Sequence, residues 1–261
     1  MKGFNIAFNT ELLKVRKSKI LPATIALFAF VAFMMGFLMQ IARHPEYAAN
    51  SAIFSSKASF VQSVDWKGYF SLLIQIILTL GNLGFGVVAA WVFGREYTDR
   101  VISDLLALPV SRTTIVLAKF LVIILWCLLL TFVTLITALI MGSLIGLDGG
   151  LQEIYSWGWI YFICGFLTMF YVTPVAWVAS YGKGYLLAIG FVLLTLITTQ
   201  FMFLGLPGLT PYFPWAIPAL ASGIAGPDLP EAGFISFTIL ALTFLAGITG
   251  TAAWWQYADH K

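Results

Sequence analysis

Residues 93–112 read FGREYTDRVISDLLALPVSR, and six of them are charged: Arg95, Glu96, Asp99, Arg100, Asp104 and Arg112. Long apolar segments flank this stretch on both sides. The whole chain of 261 residues is 61% apolar and only 10% charged, whereas an ordinary soluble domain is about 45–50% apolar and about 25% charged. A soluble fold of this size has too little interior to hide so much apolar surface, so lipid must be the solvent for most of the chain. The charged stretch is then a short aqueous break between two membrane spans.

Working outward, six segments reach the length of about 20 apolar residues that a helical span needs. They are residues 21–41, 69–93, 115–145, 157–180, 184–204 and 233–255. The fourth and fifth are joined by a tight turn, YGKG. The expected fold is an all-α polytopic membrane protein, a single transmembrane domain over 1–261. Residues 1–20 form an amphipathic interfacial helix, with Phe4, Phe8, Leu12 and Val15 on one face. Glu11 and Lys19 interrupt that face. The long segment after Met1 and the length of the first apolar run argue against a cleavable signal.

Lys and Arg orient the spans. One side carries eleven cations: five in the N-terminal segment, Arg95, Arg100, Arg112 and Lys119 around the second connection, Lys183 and Lys261. The other carries Arg43, Lys57 and Lys67. Both termini are therefore expected in the cytoplasm. Between spans five and six, residues 205–232 are rich in Pro and Gly yet mostly apolar, which predicts short broken helices in a re-entrant segment rather than a solvated loop.

Several functions are disfavoured. Apart from Lys119, no ionisable residue falls inside a predicted span, whereas ion-coupled carriers usually place such groups at mid-membrane. His44 and His260 are the only histidines, and no metal-ligand motif is present. No phosphate-cradling GxxxxGK[ST] occurs either, so no cofactor is expected on this chain. Cys127 and Cys164 fall in apolar segments and read as buried thiols. The modest net charge of +3 gives no nucleic-acid face.

On a helical wheel Glu96, Asp99, Arg100, Ser103, Asp104 and Ala107 share one arc. Tyr97, Val101, Ile102, Leu105, Leu106 and Leu108 fill the other. The pattern predicts one interfacial helix from Glu96 to Leu108, with Arg100 pairing to Glu96 and Asp104. Pro109 ends it and Ser111 caps the next helix.

Glu96, Leu105, Leu106, Pro109, Ser111, Arg112 and Lys119 also follow a recognisable spacing. Glu precedes about a dozen residues containing Leu-Leu, then Pro-Val-Ser-Arg, then Lys seven residues later. This resembles the signature of ABC-2-type ABC transporter permeases, including those of bacitracin or lantibiotic immunity and of sodium export. The usual Gly-Thr pair after the Glu is replaced by Arg100-Val101. The resemblance implies a permease without a nucleotide site of its own, in the bacterial cytoplasmic membrane. ATP and Mg would be bound by a separate ABC ATPase present in two copies, and a second permease would complete the unit. It further implies a coupling helix in the second connection, with Arg95, Glu96, Asp99, Arg100, Asp104, Pro109, Arg112 and Lys119 at the ATPase contact.

In the second span, GNLGFG permits close helix approach. Gln75, Gly81, Asn82 and Gly84 are candidates for the translocation path or a contact between permease copies, against ordinary packing within the chain. The absence of a charged cavity suggests an amphiphilic substrate, a peptide antibiotic or a lipid-like compound. Sodium export and a non-transporting sensor role are the alternatives.

Overall fold

The computed structural model describes residues 2–44, 63–102 and 110–258. Asp104 and Pro109 lie outside the described residues, as does most of the first connection. Among the described residues the architecture is all helical. A short α1 (Lys2–Arg16) precedes six helices long and apolar enough to cross a membrane. These are α2 (Ile20–Arg43), α3 (Trp66–Thr98), α4 (Arg112–Ile145), α5 (Leu151–Tyr181), α6 (Leu186–Gly205) and α8 (Phe234–Tyr257). Between the last two lie a 3-10 helix, Pro207–Tyr212, and a six-residue helix α7, Ile217–Ser222. The broken helices expected in residues 205–232 are therefore present. Ile217 and Pro218 of α7 are buried, and α7 packs on α5 and α3.

The core is built on α3, α4 and α5. The apolar stretches of α3 and α5 are each more than half buried, whereas that of α6 is under one fifth buried. Apolar side chains of α2 and α6, among them Phe30, Phe33, Leu194 and Phe201, point outward. Core polarity is handled inside the bundle, as a lipid solvent requires. Tyr69 donates to the Ala32 carbonyl at 3.2 Å, and Trp126 Nε1 donates to Thr24 Oγ1 at 3.1 Å. Both bonds tie α2 to its neighbours. Pro174 inside α5 has no N–H for the Phe170 carbonyl one turn back. Thr173 Oγ1 lies 2.9 Å from that oxygen and 3.1 Å from the Phe244 carbonyl of α8, so one hydroxyl meets the acceptor that Pro174 leaves open and joins two helices.

Helix ends follow local chemistry. Asp65 accepts from Gly68 N at 2.7 Å to start α3, and Ser111 accepts from Thr114 N at 3.2 Å to start α4, as expected. Arg43 donates to the carbonyls of Ile145 and Gly146 at the end of α4. A cation there complements the negative end of the helix dipole.

The second connection departs from expectation. Glu96 does not open a new helix; it sits in the last turns of α3, which ends at Thr98. Arg100 has φ +56°. Val101 N bonds to the Glu96 carbonyl at 3.0 Å and Arg100 N to the Tyr97 carbonyl at 3.2 Å. This paired pattern is a Schellman stop, whose left-handed position is usually glycine. The wheel assumed one continuous helix from 96 to 108, and the backbone reverses its twist at Arg100. Residue type carries no sign of the stop, because the residue in the glycine position is an arginine.

Candidate functional site

Two regions of α3 hold candidate sites, one in its last turns and one around its middle. At the end close to α1, α3 presents Glu96 towards Lys119 of α4, and α1 lays Glu11 and Lys14 across both. Lys119 Nζ lies 2.9 Å from Glu11 Oε2, 2.8 Å from Glu96 Oε1 and 3.0 Å from the Val92 carbonyl. An ammonium has three N–H donors, and all three are engaged. Lys14 Nζ lies 2.7 Å from Glu11 Oε1 and 2.9 Å from Glu96 Oε1. Each carboxylate thus meets both lysines, and the four residues form a closed ring with no net charge. Lys119 is fully buried, and Glu11 and Glu96 are 5% and 3% exposed. The rings of Phe93 and Trp255 stand 5.8 and 5.9 Å from the Lys119 ammonium and seal it from another side.

This arrangement explains the long spacing of the motif. Glu96 and Lys119, at its two ends, are ion-pair partners across the α3–α4 junction. It also explains Glu11. On the wheel of α1 it looked like a flaw in an apolar face. In the fold that face packs on α4, and the carboxylate is the counter-ion of the one lysine buried there. Burial works against the Lys14 ammonium, but Glu11 and Glu96 outweigh it and raise its pKa above the ordinary lysine value. Sequence reasoning missed Glu11 and Lys14 as site residues. The available signal was a lone carboxylate on the apolar face of α1, opposite a chain with a lone lysine inside a span.

The other motif residues are placed differently from the expectation. Glu96 is not on an exposed docking face, and it pairs with Lys14 and Lys119 rather than Arg100. The pair formed along the helix is Arg95–Asp99 at 3.1 Å, with Arg95 stacked 5.1 Å from the centre of the Trp91 ring. Asp99 and Arg100 are exposed. Arg112 donates to the carbonyls of Trp255 and Gln256 at 3.0 and 3.3 Å, closing the end of α8. Lys119 stands about 10 Å into α4 from its start, not at the mouth of the span. α3 runs on past the predicted span end at residue 93, which brings Glu96 into the helix beside Lys119.

Around the middle of α3 the chemistry is polar but nearly uncharged. Two adjoining cavities, of about 630 Å³ and about 210 Å³, lie between α3, α6 and the short helices. Gln75, Thr79, Asn82, Thr199 and Gln200 line them. Asp228 is the one charged side chain on their walls. Asn82 is 2% exposed. Its amide nitrogen lies 3.5 Å from Thr195 Oγ1, a long contact, and its amide oxygen has no partner among the described residues. Gly81 and Gly84 do not face this space. A Cβ on Gly84 would stand 2.5 Å from the Phe28 ring of α2, so this glycine serves packing within the chain.

The geometry and the comparisons agree. The family model of ABC-2 family transporter proteins matches residues 7–200, from α1 through most of α6 and including the whole ion-pair ring. A bacitracin transport permease protein, BCRB of Bacillus licheniformis, is 29% identical over 192 residues, covering 71% of this chain and 88% of that one. With six apolar helices and a match over most of its length, the chain belongs to the ABC-2 transporter family, as a multi-pass permease subunit of the cytoplasmic membrane.

Proposed function

We propose that this permease exports an amphiphilic substrate of the peptide-antibiotic type, powered by a separate ABC ATPase, the partner its family implies. The observation that carries the substrate reading is the groove at Asn82, polar without ionised walls apart from Asp228 and holding an orphaned amide oxygen. Unmet amides offer hydrogen bonds to a peptide backbone, and the neighbouring Leu78, Phe203 and Trp215 offer apolar contact. The similarity to a bacitracin transport permease supports the same class. The cation bias supports a cytoplasmic α1 and cytoplasmic termini.

The working unit is two permeases and two ATPases. The outward apolar faces of α2 and α6 flank the groove, so a second copy placed there would close it into a path. Arg100 and Asp99, exposed at the break after α3, begin the segment that contacts the ATPase, and Asp104 and Pro109 continue it. The ion-pair ring sits directly behind this segment. Motion imposed there reaches α1, α3 and α4 as one body.

The test is resistance. Co-expression with its cognate ATPase in a bacitracin-sensitive bacterium is expected to raise the inhibitory concentration several-fold. Asn82→Leu is expected to remove that gain while the complex still assembles. An assembled, ATP-hydrolysing complex that gives no resistance to any cyclic or lantibiotic peptide would overturn the substrate reading.

A further inference from the structure

A cavity of about 420 Å³ opens where α1 passes into α2. Lys14, Lys17, Lys19 and Arg95 line it, together with Ser18 and Trp91. Lys14 is held by the ion-pair ring and Arg95 by Asp99. Lys17 and Lys19 are exposed, and neither has a carboxylate partner among the described residues. The cavity thus has surplus positive charge. The start of α2, a 24-residue helix, adds the positive end of its dipole.

A second cavity, of about 410 Å³, adjoins it and shares Ile20, Trp91 and Arg95. It runs along α3 towards α6, past Val87 and Ile189. Its single carboxylate, Asp99, is paired with Arg95. The combined shape is a cationic mouth continued by an apolar trough in the direction of the spans. A charge-selective head attached to a hydrocarbon tail fits that shape.

We propose that this groove is a binding site for an anionic glycerophospholipid, with the phosphate between Lys17 and Lys19 and an acyl chain along Val87 and Ile189. The site rests on the reading that α1 is cytoplasmic, because anionic lipid there meets a cationic pocket. A second copy of the chain is a poorer occupant, since a two-fold axis near the groove would bring like cations together. A bound lipid would hold the α1–α2 corner against α3, beside the ion-pair ring and next to the segment assigned to the ATPase.

The experiment is native mass spectrometry of the delipidated full-length permease, titrated with phosphatidylglycerol or phosphatidylcholine. Phosphatidylglycerol is expected to bind at least about tenfold tighter. In Lys17→Gln/Lys19→Gln its binding is expected to weaken by about thirtyfold, from roughly 1 kcal/mol per surface cation. Both lysines are exposed, and an unchanged circular dichroism spectrum checks that the variant is folded. Lys67→Gln, at the other end of α3, is expected to bind as the parent does. Glycerol 3-phosphate and inorganic phosphate are competitors, and failure of either to displace the lipid at equal concentration supports the trough. Equal binding of the two lipids, full binding by the double variant, displacement by phosphate alone, or a dimer that shields both lysines from acetylation would each overturn the proposal. Orientation is read separately, from the side on which a Lys17→Cys variant is labelled. Labelling from outside overturns the cytoplasmic reading without touching the measured lipid preference.

Discussion

The last turns of α3 and its middle solve opposite problems with the same helix. Near Glu96 four ionised groups are buried in a closed, neutral ring, and every donor of Lys119 is satisfied. Near Asn82 there is almost no charge, yet an amide oxygen is left without a partner. Buried charge is tolerated only when paired, and losing one partner is far more costly than the pair is worth. An unmet neutral amide costs less and is free to meet a passing ligand. The first region is built for rigidity, the second for exchange.

The comparison breaks most sharply at Lys119. Lys119→Met leaves two buried carboxylates facing one ammonium and is expected to destabilise by about 3–5 kcal/mol. This would be seen as a large drop in the thermal midpoint and loss of folded protein from the membrane. Glu11→Gln should cost less alone, and its effect should be strongly non-additive with Lys119→Met. Additive losses in that cycle would mean that the ring does not act as a unit.

Asn82→Leu sharpens the contrast from the other side. Its one contact is long, so stability is expected to change by less than about 1 kcal/mol, while transport falls about tenfold or more. A variant that unfolds would show that Asn82 is a structural hydrogen-bond residue.

Smaller effects follow at the helix ends. Arg112→Ala removes a charged donor from the last carbonyls of α8 and is expected to cost about 1–2 kcal/mol in thermal unfolding. Arg100→Gly is expected to stabilise by roughly 0.5–1 kcal/mol, because the left-handed stop after α3 strains any residue with a Cβ. The smallest effect is in pH. Lys14 has its pKa raised in the fold, so its contribution is fully present below the unfolded value of about 10.5 and is lost as pH rises through the higher folded value. The stability that Lys14 contributes, read as the difference in thermal midpoint between the parent and Lys14→Met, should therefore not change between pH 7 and 9.

Much of the architecture was legible in advance. The six spans match helices α2 to α6 and α8 to within a few residues at most ends, because a lipid solvent demands long apolar helices whatever their partners. Ser111 was readable as a cap because capping is local chemistry. The charged stretch was legible as a motif but not as a shape. A helical wheel carries no information on where the backbone stops, and at Arg100 the residue type did not announce the stop. Gly84 was readable as a close approach, but not as an approach to Phe28.

Composition and periodicity alone determined that this chain lives in lipid, how often it crosses, and that its scarce charge gathers at one end of the second span. Only the tertiary structure decided what that charge does. Glu11, Lys14, Glu96 and Lys119 lie on three helices separated by up to 108 positions. Each looks like an isolated polar intrusion until folding brings them within about 3 Å. A buried charge is intelligible only with its counter-ion, and the identity of that counter-ion is a fact of packing, not of sequence neighbourhood.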